Sequence, residues 1–180
     1  AESKNTPEKT WEYPIVVNLK KLEVYAMRRN FLLFCVIGVM FLIFIFSSQA
    51  GASSHYLSNA AGRLLGVLRE DENGEFYGRF LFWEWNIRQL GHITLFALLG
   101  GVTHAYLLLK QTELTEIKIL KCSFLSALLC FIYGCMDEFH QYFVNGRNAR
   151  FQDVLVDAVG FTAAVCAVNA AVWLYRRIRR

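Results

Sequence analysis

Four long apolar runs constrain this chain more than any other feature. A bilayer core of about 30 Å needs roughly 20 helical residues to cross it. The runs extend from Asn30 to Ala50, from His92 to Leu109, from about Ile117 to Met136 and from about Val154 to Tyr175. No Lys, Arg, Asp or Glu lies between Arg29 and Arg63. Each run is apolar around most of its circumference, as a helix surrounded by lipid must be. The expected fold is therefore an all-α polytopic membrane protein with four transmembrane helices. With 55% apolar and 19% charged residues, the chain is too poor in charge for an ordinary soluble domain. No second domain, repeat or low-complexity tract is expected.

Basic residues tend to remain on the cytoplasmic side of a membrane. With the N-terminus inside, the cytoplasmic segments hold Lys4, Lys9, Lys20, Lys21, Arg28, Arg29, Lys110, Lys118, Lys121, Arg176, Arg177, Arg179 and Arg180. The outer segments hold only Arg63, Arg69, Arg79, Arg88, Arg147 and Arg150. This asymmetry places both termini in the cytoplasm. Residues 1–29 form an N-terminal cytoplasmic segment, in which Val16 to Arg29 has the mixed pattern of an interfacial helix. Residues 30–175 form the membrane domain, and 176–180 a basic tail. Ala50-Gly51-Ala52 resembles a signal-peptide cleavage site. The long run and the roughly 29 residues before it favour a retained helix.

Outside the spans, Ser53 to Leu68 has another mixed apolar and polar pattern, and Glu70 to Gly78 is a charged turn. Phe80, Phe82, Trp83 and Trp85 suit a membrane interface, where aromatic rings are enriched. Cys35, Cys122, Cys130, Cys135 and Cys166 all lie in apolar runs. Their spacings resemble no zinc or redox motif, so they are expected to be small buried hydrophobes. The net charge of +4 is dispersed around the spans, which argues against nucleic acid as a partner. Membrane lipids are the expected surroundings, and no cofactor is expected.

Helical rise, about 1.5 Å per residue, sets the depth of polar groups. Gln49 lies roughly 30 Å above Arg29, His92 about 27 Å above Lys110, Asp137 about 24 Å above Lys121 and Asp157 about 28 Å above Arg176. All four helices thus place a polar group near one level. Ionisable groups at such depth need partners or water, and by default they point to a functional site. Asp137, His140 and Gln141 share a helical face if the third helix continues that far, and Arg88/His92 and Asp153/Asp157 are i, i+4 pairs. The expected pocket is lined by His92, Asp137, Glu138, His140, Arg147, Asp153 and Asp157, with Arg88 at its rim. Arg147 is expected within direct or water-bridged reach of Asp137, Glu138, Asp153 or Asp157, since a nearby cation keeps a buried carboxylate charged. Such pairs can instead simply join helices. His92, His140 and the acids are suitable metal ligands, but their spacing matches no known metal motif. His55 and His104 read as incidental, Asn169 as a helix–helix hydrogen bond, and Ala163, Ala167 and Ala171 as a close-packing stripe.

These motifs resemble the VanZ-like family of small bacterial membrane proteins. The resemblance rests on Phe46-Ser47-Ser48-Gln49, on Ile87-Arg88 with Gly91-His92, on Asp137-Glu138-Phe139-His140-Gln141 with Gly146-Arg147, and on Asp153 through Gly160. It covers about Phe31 to Tyr175. Gln89, Phe96, Asn145 and Asp157 depart from residues common in the family, and Gln89 removes one possible phosphate-binding cation. The resemblance implies a bacterial plasma-membrane protein of the cell envelope, in a family named for a member associated with resistance to the glycopeptide teicoplanin.

Two readings of function follow. In the first, an outer-leaflet pocket binds an anionic amphiphile such as a lipid-linked wall precursor or a lipoglycopeptide. Gln49, Arg88, His92, Asp137, Glu138, His140, Gln141, Arg147, Asp153 and Asp157 are its candidate residues, and the arginines hold phosphate or carboxylate. In the second, a membrane enzyme performs acid–base hydrolysis or group transfer on a lipid-linked substrate. Its candidate catalytic groups are His92, Asp137, Glu138 and His140, without an evident nucleophile beyond Ser47 or Ser48. A proton-coupled transporter is disfavoured because four helices carry no midplane charges and no inverted repeat.

Overall fold

A computed structural model of the chain describes residues 13–66, 68–80, 83–111, 113–147 and 149–179, with the backbone alone at 13–22, 80, 83 and 84. Among the described residues there are five helices: α1 (Tyr13–Ser47), α2 (Gly51–Leu65), α3 (Ile87–Leu109), α4 (Glu116–Gln141) and α5 (Phe151–Ile178). Four of them contain stretches long and apolar enough to cross a membrane: Glu23–Ser47, Ile87–Leu109, Glu116–Gln141 and Phe151–Ile178. The protein is an all-α polytopic membrane bundle.

Each spanning helix differs in extent from its apolar run, because polar groups partnered inside a bundle can remain helical. α4 carries on through Asp137-Glu138-Phe139-His140-Gln141, and α3 and α5 begin early enough to include Arg88 and Asp153. α1 instead stops at Ser47, so Gln49 lies in the following turn rather than on the helix. The segment Val16 to Arg29, which has the pattern of an interfacial helix, is helical and runs on into the first span without a break. Tyr13 to Ser47 is one uninterrupted helix of 35 residues, about 52 Å long at 1.5 Å per residue. Residues 1–12 of the N-terminal segment lie outside the described residues.

Between α2 and α3 the chain forms a small antiparallel sheet in the order β1 (Arg69–Glu70), β2 (Phe76–Phe80), β3 (Trp83–Asn86). The charged turn expected at Glu70 to Gly78 is thus partly strand. Its tip is fixed by Asp71, whose Oδ1 accepts from the amides of Asn73 and Glu75 at 2.9 and 2.8 Å. Gly74 supplies the left-handed conformation there, with φ of 79°. β2 docks on α2 by seating the ring of Phe76 where Gly62 has no side chain. β3 leads directly into α3, whose start is closed by a reciprocal capping box between Asn86 and Gln89. The departure at Gln89 therefore has a local role. The side chains of Phe80 and Trp83, and all of Phe82, lie outside what the structure describes.

The core holds Val39, Ile43, Phe96, Leu99, Cys130 and Phe161, while large residues such as Phe34, Phe41, Phe124 and Trp173 face outward. Outward apolar rings are stable only where lipid is the solvent. α3 and α5 approach closely at two glycines. A Cβ on Gly160 would stand 2.3 Å from the Ile93 carbonyl oxygen, and one on Gly100 would stand 2.7 Å from the Phe161 Cβ. The alanine stripe expected to do this packing is exposed, because the face α5 turns to α3 carries Gly160, Phe161 and Ala164 instead. Cys122 and Cys130 are buried as expected, Cys35 and Cys135 are half-buried, and Cys166 is exposed.

Candidate functional site

The end of α1, the start of α3, the end of α4 and the start of α5 meet at one rim of the bundle. The centre of that rim is Gln141, fully buried on the last turn of α4. Its Nε2 donates to Asp137 Oδ2 at 2.8 Å, one turn earlier on the same helix, and lies 3.4 Å from Ser47 Oγ. Ser47 Oγ also donates to Asp137 Oδ2, at 2.8 Å. The amide oxygen then faces the other way and accepts from two guanidinium groups, Arg88 at 2.6 Å and Arg147 at 3.1 Å. This network fixes the amide orientation, because only the NH2 can face a carboxylate and only the oxygen can face two cations.

Arg147 lies in the loop between α4 and α5, just after Gly146, whose φ of 75° turns the chain inward. It donates to the carbonyls of Gln49 (3.0 Å) and Phe46 (2.9 Å) and to Ser54 Oγ (3.2 Å). A cation there suits the negative end of the α1 dipole. Its hydrogen-bond partners among the described residues include no acid; Arg147 is linked to Asp137 through Gln141. Its oxygen partners are carbonyls and a hydroxyl, none with a formal charge. Burial pushes its pKa down to about 10, with Arg88 adding to the effect and Asp137, Glu138 and Asp153 opposing it. It remains a cation at neutral pH.

Two sizeable cavities flank the arginines, beside a smaller one of about 60 Å³ that Arg88 also lines. One is a groove of about 380 Å³ between α1, α2 and α3. Phe46, Leu57, Ala61, Ile87 and Leu95 make its walls largely apolar, and Arg88, His92 and Arg147 also line it. The other is a polar chamber of about 220 Å³, lined by Arg88, His92, Glu138, Arg150, Asp153 and Asp157, with His55, Asn86, Gln89, Gly146 and Val156. Arg88 and His92 face both. Asp157 is 1% exposed, and neither of its oxygens has a hydrogen bond. His92 Nδ1 stands 3.6 Å from Asp157 Oδ1, an ion-pair distance too long for a hydrogen bond. Glu138 Oε2 accepts from the Arg150 amide at 2.9 Å, while its Oε1 is buried without a partner.

Of the residues expected in one pocket, His92, Glu138, Asp153 and Asp157 line the chamber and Arg88 lines both cavities. Gln49 and Arg147 line the groove. Asp137 and Gln141 form the network behind them. His140 lines neither cavity: its ring lies 4.7 Å from that of Phe44, and its Nε2 is 3.1 Å from Ser48 Oγ. The reason is angular, since His140 follows Asp137 by three residues and Gln141 by four, and only Gln141 turns fully inward. Among the described residues, no three His, Cys, Asp or Glu side chains are placed to hold one metal ion.

The two histidines read as incidental to the site both have structural partners. His55 Nδ1 pairs with Glu75 at 2.7 Å, joining α2 to the sheet beside the chamber. His104, fully buried, centres a second polar network towards the other end of the bundle, contacting Ser126 Oγ at 3.2 Å and Asn169 Oδ1 at 2.8 Å. Asn169 also donates to Ser123 Oγ at 2.9 Å, as its expected helix–helix role requires. The signal that was available in sequence is that three of these polar residues face lipid-depth core from separate helices.

Fold and rim together define a class: a small four-span membrane protein with a charged, cavity-bearing rim at one end of its bundle. The family model described as VanZ/LLP1 matches residues 31–174, and the chain belongs to that family. No curated protein and no solved structure matches it.

Proposed function

We propose that this chain binds an anionic amphiphile at the rim, on the outer face of a bacterial plasma membrane, with both termini in the cytoplasm. The observation that carries the reading is the convergence of Arg88 and Arg147 on one uncharged oxygen, Gln141 Oε1, at the head of an apolar groove. Two like charges held together without a carboxylate between them favour an anion, and a guanidinium binds phosphate or carboxylate through paired N–H groups. The apolar walls suit an acyl or polyprenyl chain. A lipid-linked wall precursor or a lipoglycopeptide has the required chemistry, and the family's association with glycopeptide resistance supports a ligand of the cell envelope. The basic asymmetry of the sequence supports the orientation.

Native mass spectrometry of purified protein with phosphatidylglycerol and with a polyprenyl pyrophosphate tests the reading. Arg88→Gln is expected to lower affinity for both by at least about tenfold, the scale of one charge-assisted contact. Equal affinity in the variant and the parent would remove the arginines from the site. For the orientation, a cysteine at Asp71 is expected to react with an impermeant thiol reagent on intact cells and one at Glu113 is not; the reverse would invert the topology.

A catalytic reading has one observation in its favour, His92 beside the buried Asp157 in the chamber. A histidine held next to a carboxylate can act as a general base. Conversion of a bound lipid-linked substrate by the purified protein, lost in His92→Gln, would select it over binding alone.

A further inference from the structure

The arginines explain the groove but leave the chamber unexplained. A site that received only anions would gain nothing from three acids on its other side. Yet Glu138, Asp153 and Asp157 line the chamber that shares Arg88 and His92 with the groove. Asp157 is almost wholly buried and neither of its oxygens accepts a hydrogen bond, and Glu138 Oε1 is in the same condition. Buried carboxylate oxygens without donors are costly, and a ligand that brings donors into the chamber would relieve that cost.

We propose that the rim recognises a zwitterion: a primary ammonium in the chamber, held by Glu138 and Asp157, joined by a short arm to a phosphate held by Arg88 and Arg147. This rests on the anionic-amphiphile reading above and adds the second half of the headgroup. A primary ammonium carries three N–H donors, which Glu138 Oε1 and Asp157 Oδ1 and Oδ2, none of them accepting a hydrogen bond, can receive; Oδ1 also lies 3.6 Å from His92 Nδ1. A metal cation fits less well, since no three suitable ligand side chains share one point among the described residues. A quaternary ammonium has no N–H to give and is held by aromatic faces; among the described residues, the chamber wall has none of Phe, Tyr or Trp. Arg88, present in both cavities, is the point at which the two charges of the ligand would meet the protein side by side.

The test uses the full chain in detergent and native mass spectrometry with three lipids of equal acyl chains. These are phosphatidylethanolamine, its N-trimethylated counterpart phosphatidylcholine, and phosphatidic acid. Soluble phosphoethanolamine serves as competitor. Phosphatidylethanolamine is expected to bind at least about tenfold more tightly than either of the others, the scale of one charge-assisted contact. Asp157→Asn is expected to bring that ratio close to one, and Glu138→Gln to lower it in the same direction should the first variant fold poorly. Displacement by soluble phosphoethanolamine at matching concentration would support the zwitterion chemistry with a free headgroup as its source; failure to displace would support the lipid. Equal binding of the three lipids, still reduced by Arg88→Gln, would overturn the ammonium site and leave the anion site standing. No binding of any phospholipid, or binding indifferent to Arg88→Gln, would overturn both.

Discussion

The bundle contains two buried polar networks, each with a histidine on α3, and they differ in how their hydrogen bonds close. Around His104 both ring nitrogens have neutral partners, Ser126 and Asn169, and Asn169 passes on to Ser123. Ser123, Ser126 and Asn169 carry no formal charge, and no polar atom of that set is left without a partner. Around His92 the partners are charged, the nearest acid is 3.6 Å away, two acids keep unpaired oxygens, and two cavities open beside them. A closed network holds helices in register and keeps none of its own polar atoms for a ligand, even though a cavity of about 480 Å³ reaches Ser123 and Asn169. An open, charged one is expensive to maintain inside a membrane, and its expense makes sense where a ligand completes it. On the proposed reading, the contrast separates stability from binding on a single helix, twelve residues apart.

The largest effect should come from attacking the closed network. His104→Ala removes a fully buried ring and strands Ser126 and Asn169, so unfolding in detergent is expected to become easier by about 2–3 kcal/mol. Lipid affinity at the rim should stay as it was, measured on the folded fraction. A loss of affinity larger than the loss of stability would erase the distinction between the two regions.

A milder change should do the opposite at the rim. Gly91 lines the groove, is exposed, and a Cβ there meets nothing within 4 Å. Gly91→Leu therefore fills the groove without disturbing packing. Thermal stability is expected to move by less than about 1 kcal/mol, the helix-propensity scale, while affinity for an anionic lipid falls at least about tenfold. Unchanged affinity would mean that the chain of the ligand does not lie between α1, α2 and α3.

The smallest expected effect is an absence of one. A guanidinium is cationic in its protonated form, so the Arg147 contact persists at every pH below its pKa and weakens only as pH rises through about 10. Titration of phosphatidylglycerol binding through neutrality should be flat on this account. A step near neutral pH would assign the anion contact to a histidine or an acid instead.

The spans were legible because lipid imposes a length and a lack of charge that few other environments demand. The residues of the rim were legible too, since costly groups at one depth on four helices have few places to go. What the sequence concealed is orientation about each helix axis. His140 and Gln141 are adjacent and equally polar, yet only the second turns to the centre. Arg147 is expected near the acids from sequence, but its contacts with the carbonyls of Phe46 and Gln49, which cap α1, are invisible to a reading of side chains. The small sheet was hidden for another reason: strands of two to five residues are too short for alternation to show.

The start of α2 is fixed at a place that no ligand need touch. Gly51 donates its amide to the Asn145 carbonyl, and a Cβ there would fall 2.3 Å from the carbonyl oxygen of Gly146. Gly146 is the residue immediately before Arg147. In the language of heritable variation, positions nearly a hundred apart form one unit of inheritance. A side chain can be gained at 51 only if the turn at 145–147 is rebuilt, and a rebuilt turn relocates the guanidinium. Selection on the cation thereby reaches a glycine that carries no chemistry of its own.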